Sequence, residues 1–252
     1  MLGLGAASVV IGLLVGATGI GGFLIIPAFM VLADLPVRTA MGTALLVAAA
    51  NGALGAYLFL RRGNVDWAVA APLAAGALVF SLCGGWLNHW LPVPLVVGAL
   101  GCVMVAGSIA SFRNAGMARS AMRGEKPGAR TALLASIGCV SGLAAGLTGA
   151  GGPLVSVPLM SMLSYPVLTT VGASQVLQLA ASLSGSIPYW QTGQVSIAAL
   201  LLVVPMHLLG IRVGVGIAYK VEPRAATRAV AILGAAAGIG IFILAATNQQ
   251  SV

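Results

Sequence analysis

Apolar residues occupy eight long blocks of this chain, 2–33, 37–60, 67–90 and 93–112 in its first half, and 131–163, 167–190, 195–219 and 224–246 in its second. Six of the blocks are ~20 to 25 residues long, the length an α-helix needs to cross a bilayer core. The leading block of each half differs. It would be ~45 Å long as a straight helix, and glycines interrupt it near its middle. Such a block must bend, tilt steeply or fold back. The pattern predicts an all-α polytopic membrane protein with a broken leading helix in each half.

The two breaks are copies of one another. GLLVGATGIGG at Gly12 to Gly22 returns as GLAAGLTGAGG at Gly142 to Gly152, and a constant shift of 130 aligns the halves without a gap from Gly12 to Trp67. Gly16 then falls on Gly146, Thr18 on Thr148, Gly21 and Gly22 on Gly151 and Gly152, Met30 on Met160, Pro36 on Pro166 and Gly63 on Gly193. Glycine, proline and threonine in register mark a duplication. The chain divides into an N-terminal repeat, 1–112, a basic linker, 113–130, and a C-terminal repeat, 131–252.

Composition agrees with the pattern. Hydrophobic residues make up 60%, charged residues 6%, and mean hydropathy is +1.07, outside the range of a soluble domain. The formal net charge of +8 does not indicate a nucleic-acid surface, because the basic residues sit mostly in short loops, where they act as topology signals. Cys83, Cys102 and Cys139 lie in apolar blocks without paired or metal-type spacing and read as small core residues. The first residues resemble a signal-peptide core but have no basic n-region, and their continuation recurs in the second half. They are expected to belong to the mature fold.

Charge also predicts topology. The linker carries Arg113, Arg119, Arg123, Lys126 and Arg130 against Glu125, and the positive-inside rule makes it cytoplasmic. Arg61 and Arg62 then fall inside too. Lys220, Arg224 and Arg228 join them only if 131–163 enters and leaves on one side, as a re-entrant hairpin. Each half then has one broken, re-entrant element and three full crossings, an arrangement that reverses orientation between copies. The expectation is two inverted repeats, with both termini and the lone Arg38 outside and both breaks near the bilayer midplane.

Backbone left open at that depth points to a ligand. Helices satisfy their own N–H and C=O groups in lipid, so consecutive glycines imply a cavity. The helix resuming after each break offers free first-turn N–H groups and a positive dipole end, which suit an anion. The candidate substrate-binding residues are Thr18, Gly19, Gly21, Gly22 and Phe23 in the first repeat and Thr148, Gly149, Gly151, Gly152 and Pro153 in the second. Gly12, Gly16, Gly142 and Gly146, spaced by four, read instead as helix-packing positions. Gln175, Gln178 and Asn51 are polar where the other repeat has Leu45, Ala48 and Ala181, so they join the candidate site. His207 is mid-span and ionisable. It is the candidate for proton coupling, with an interhelical hydrogen bond as the alternative.

Carboxylates lie only in expected loops, and no metal-ligand or catalytic constellation falls within the spans, so enzymatic chemistry, a cofactor and a metal are not expected. The G-x-x-x-G-x-T-G-x-G-G signature, duplicated within four-segment halves, resembles the sulfite exporter TauE/SafE family over nearly the whole chain. The resemblance implies transport of sulfite, small organosulfonates or related sulfur oxyanions across a bacterial or archaeal plasma membrane. The expected function is a secondary transporter, an exporter by alternating access. A proton-coupled importer and a passive anion channel stay open as alternatives. The expected partners are a small sulfur-containing anion and the lipid bilayer, with no nucleic acid; a homo-oligomer is compatible with this reading.

Overall fold

The computed structural model describes residues 2–18, 21–114, 127–163, 165–218 and 223–248. Among these residues the chain forms ten α-helices and no strand. The N-terminal repeat holds α1 (Leu2–Thr18), a 3-10 turn at Gly22–Leu24, α2 (Ile25–Leu32), α3 (Val37–Arg61), α4 (Trp67–Trp90) and α5 (Val93–Asn114). The C-terminal repeat holds α6 (Pro127–Thr148), α7 (Pro153–Met162), α8 (Val167–Gln191), α9 (Ile197–Ala218) and α10 (Pro223–Asn248). Both leading blocks are thus broken at the duplicated glycines. The ends of the linker are helical, since α5 runs to Asn114 and α6 starts at Pro127; 115–126 lies outside the described residues.

Local chemistry sets the same boundaries in both copies. Pro36 and Pro166 stand before α3 and α8 with extended ψ of 145° and 141°, because proline fixes φ and leaves no N–H to orphan. Gly63 and Gly193 end the paired helices at φ 67° and 70°, a left-handed conformation in which glycine meets no Cβ penalty. The Asp66 carboxylate accepts from Ala68 N at 2.9 Å and caps α4.

Among the described residues six helices, in α3, α4, α5, α6, α8 and α9, are long and apolar enough to cross a membrane. This is a multi-pass membrane protein, and its surface fits. Val31, Phe80, Leu201 and Ile232 are exposed, while Asn51, Asn88, Gln175, Gln178 and His207 are buried. Lipid tails accept an apolar exterior, so the polar groups collect inside. Trp67, Trp90 and Trp190 are exposed at helix ends, as interfacial anchors are.

Each repeat's leading helix packs on the other repeat. α1 lies along α9, with Gly12 on His207 and Gly16 on Ile211 and Val215; α6 lies along α4, with Gly138 on Leu73, Gly142 on Ala77 and Gly146 on Ser81. Residue numbers rise together in both pairs, so both are parallel. A Cβ on Gly16 would lie 2.9 Å from Val215 N, and one on Gly142 2.5 Å from Ala77 Cα. These glycines let backbones touch. The central pair runs the other way, with Gly42 of α3 on Gln194 just beyond α8, Gly52 on Leu179, and Gly172 of α8 on Asn64 just beyond α3. Thus α3 and α8 are antiparallel. Since α9 reverses α8 after a short turn, α1, α3 and α9 point one way. The pair α5 and α10 is antiparallel too, with Gly234 on Ser108 and Gly238 on Val105 and Met104.

Candidate functional site

Both glycine breaks open onto one cavity at the middle of the α3–α8 pair. Gly21, Gly22, Phe23, Ala48 and Asn51 wall it from the first repeat, and Gly149, Ala150, Gly151, Pro153, Leu154 and Gln178 from the second. Three walls come in repeat-related pairs: Gly21 with Gly151, Phe23 with Pro153, and Ala48 with Gln178. No lining side chain carries a charge. The cavity is small, with room for about one water.

The breaks depend on glycine conformation. Gly21, Gly149 and Gly151 have φ of 126°, 70° and 77°, which a residue with a Cβ adopts only with strain. The chain then restarts at the 3-10 turn ahead of α2 and at Pro153 of α7, so the N-terminal ends of both half-helices border the cavity. Among the described residues, the N–H groups of Gly22, Phe23, Gly151 and Gly152 make no hydrogen bond. These are the donors that a helix start leaves free.

Two side-chain amides complete the site. Asn51 and Gln178 are 2% and 3% exposed, and neither makes a hydrogen bond among the described residues. A methyl group on Gly22 would lie 3.6 Å from Asn51 Nδ2 and 4.0 Å from Gln178 Nε2, and one on Gly151 4.0 Å from the same Gln178 nitrogen. Amide donors from opposite repeats therefore flank the glycines. Both side chains line the cavity, where water or a polar ligand can accept from their amide groups.

Other expected residues stand aside from the cavity. Thr148 Oγ1 donates to Ala144 O at 2.7 Å and accepts from Ala150 N at 3.3 Å, so its hydroxyl closes the end of α6. Gly152 is the N-cap of α7 and packs on Leu177. Gln175 points at α3, where its side chain takes the space that a Cβ on Gly55 would need, and its buried Oε1 has no partner. His207 lies at the α1–α9 contact with Nδ1 3.2 Å from Ser8 O, buried and away from the cavity. Gly19 and the Thr18 side chain lie outside the described residues. Ala48, Ala150 and Leu154 line the cavity without having been singled out. Ala48 was legible as the repeat partner of Gln178; Leu154 offers no polar signal.

Among the described residues no three His, Cys, Asp or Glu side chains come together as a metal site. Arg38, the cation nearest the start of α3, donates to Leu91 O at the end of α4. Its charge is thereby held at a helix C-terminus, where a cation is favoured.

The sulfite exporter TauE/SafE family matches residues 4–241. A probable membrane transporter protein of Methanocaldococcus jannaschii is 26% identical over 237 residues, covering 86% of this chain and 87% of the relative. The probable membrane transporter protein YdhB of Bacillus subtilis is 25% identical over 207 residues, covering 81% and 84%, and YunE of the same organism is 26% identical over 244, covering 86% and 89%. No solved structure gives a significant match. The chain belongs to the sulfite exporter TauE/SafE family and is a membrane transporter.

Proposed function

We propose that this TauE/SafE-family transporter is a secondary exporter of sulfite or a small organosulfonate across the plasma membrane. It binds the anion between its two glycine breaks and works by alternating access. The observation that carries this reading is the convergence, on one cavity without charged side chains, of two half-helix N-terminal ends and two amides, Asn51 and Gln178, that have no hydrogen-bond partner among the described residues. Backbone N–H groups and amides can each donate to an oxyanion oxygen. With no lysine or arginine in the cavity wall, the anion is held without a fixed countercharge and can leave again. A void fitting about one water is too small for an anion of sulfur and three oxygens, so loading requires the walls to part. That suits a carrier that occludes its substrate.

In this reading the halves are inverted repeats and the linker 113–130 is cytoplasmic. Antiparallel α3 and α8 support the inversion, since repeat-related helices of opposite direction imply an axis lying across them. The shared direction of α1 and α3 supports a re-entrant leading element, because α2 must carry the chain back toward the start of α3. Export needs no coupled ion: with the interior negative, expelling one negative charge is downhill by ~2.3 kcal/mol per 100 mV. The test is flux in proteoliposomes for sulfite, sulfonates, thiosulfate and sulfate. Saturable sulfite or sulfonate flux with counterflow is expected. Linear flux without counterflow would identify a channel, and transport of none of these anions would remove the substrate class.

A further inference from the structure

We propose that the route from the cavity to the membrane face bearing the linker contains a second, hydroxyl-built position for the anion and its water, and that the opposite route has none. The proposal rests on the central cavity being the substrate site. On the linker side the route lies between α7 and α8. One helical turn beyond the cavity, Ser156 of α7 and Ser174 of α8 stand with their Oγ atoms 3.1 Å apart, both fully buried. A turn further along α8, Thr170 is 1% exposed and its Oγ1 has no hydrogen-bond partner. Its hydroxyl does not make the bond to the carbonyl four residues back that Thr148 Oγ1 makes to Ala144 O.

Thr170, Ser174 and Gln178 are spaced by four. Successive members lie ~6 Å apart along the axis and share one side of the helix. They form a ladder from the cavity amide toward the N-terminal end of α8. That end lies at the face where α6 begins, because α4 is parallel both to α6 and to α8, where Ser81 Oγ reaches Ala181 O at 2.7 Å and Gly85 meets Gly185 and Pro188.

The repeat-related route, between α2 and α3, is built from the same backbone without hydroxyls at the corresponding positions; the neighbouring Thr43 hydroxyl is engaged, donating to Thr39 O and accepting from Ser196 N. Ser156 becomes Ile26, Ser174 becomes Ala44, Thr170 becomes Ala40 and Gln178 becomes Ala48. Ile26, Ala44 and Ala40 are all buried. An oxyanion passing them would shed water and gain no donor, whereas each step on the α7–α8 side offers one. The linker-side route therefore hydrates first when the walls part, and the other stays sealed until the repeats rearrange.

Directional labelling tests this without a known substrate. In full-length protein with Cys83, Cys102 and Cys139 replaced by Ala, single cysteines are introduced as Thr170→Cys, Ser174→Cys, Ala40→Cys and Ala44→Cys. The protein is reconstituted in oriented vesicles and exposed on one side to an anionic methanethiosulfonate. We expect the first two to react from the linker side at least 10-fold faster than the last two react from either side. Equal rates overturn the proposal. Ser156→Ala with Ser174→Ala is expected to slow sulfite flux about 10-fold while equilibrium sulfite binding changes less than 2-fold. Unchanged flux also overturns it, whereas sulfite binding that is insensitive to Asn51→Ala and Gln178→Ala sinks the cavity reading and leaves the labelling result to decide this one.

Discussion

The two glycine breaks share a backbone and differ in nearly everything attached to it. Gly21 and Gly151 both take positive φ, and both precede a half-helix whose first N–H groups have no partner among the described residues. Around them, Phe23 has Pro153 as its counterpart, Ala48 has Gln178, and Asn51 has Ala181. Duplication therefore preserved the glycine-broken main chain and let the side chains around it diverge. Each repeat supplies one amide, at non-equivalent positions, so one asymmetric cavity replaces two equal ones.

The harshest way to break the comparison is to remove what the copies share. Gly21→Val or Gly151→Val places a β-branched residue at positive φ, with strain of ~1 to 3 kcal/mol, and puts methyl groups into the cavity. Each is expected to lower sulfite flux more than 100-fold. Gly193→Ala serves as the control: it has φ 70° and nothing within 4 Å of its Cβ position, so flux should stay within about 3-fold of wild type. Flux that survives both valines would show that the breaks do not form the site.

Removing what the copies do not share should cost less. A hydrogen bond to a charged group contributes ~1.5 to 3 kcal/mol, so Asn51→Ala and Gln178→Ala should each weaken sulfite binding roughly 10- to 150-fold, read by equilibrium titration of the purified protein. A loss confined to one of them would mean that the anion sits against a single repeat. The smallest effect is expected at His207. It lies outside the cavity on Ser8 O, so His207→Gln should change flux less than about 2-fold and leave its pH profile in place. A flattened profile would return proton coupling to this residue.

Much of this was legible in the sequence, for identifiable reasons. Bilayer thickness sets helix length, so α3, α4, α5, α8 and α9 were legible as apolar blocks, and consecutive glycines marked both breaks. Among the described residues the sixth helix of crossing length is α6, from the broken block 131–163, and not the block 224–246. The cavity residues followed from the same glycines and from Asn51 and Gln178, polar where the other repeat is apolar. Gln175 carries the same sequence signal as Gln178 but sits against Gly55 instead, because three residues rotate a side chain far enough to change neighbours. Thr148 could cap or donate, and only geometry shows its proton directed to Ala144 O. Glycines spaced by four announced close packing at α1 and α6 but could not name the partner helix.

That partner choice reaches beyond the site. The stripe Gly138, Gly142 and Gly146 fits the backbone of α4, and Gly12 with Gly16 fits that of α9, so each half keeps its leading helix in the other half's keeping. A lone half would present an empty groove and an unseated helix at once. The linker therefore joins two halves that each need the other to seat a helix, so separating them at the linker would expose both glycine stripes at once.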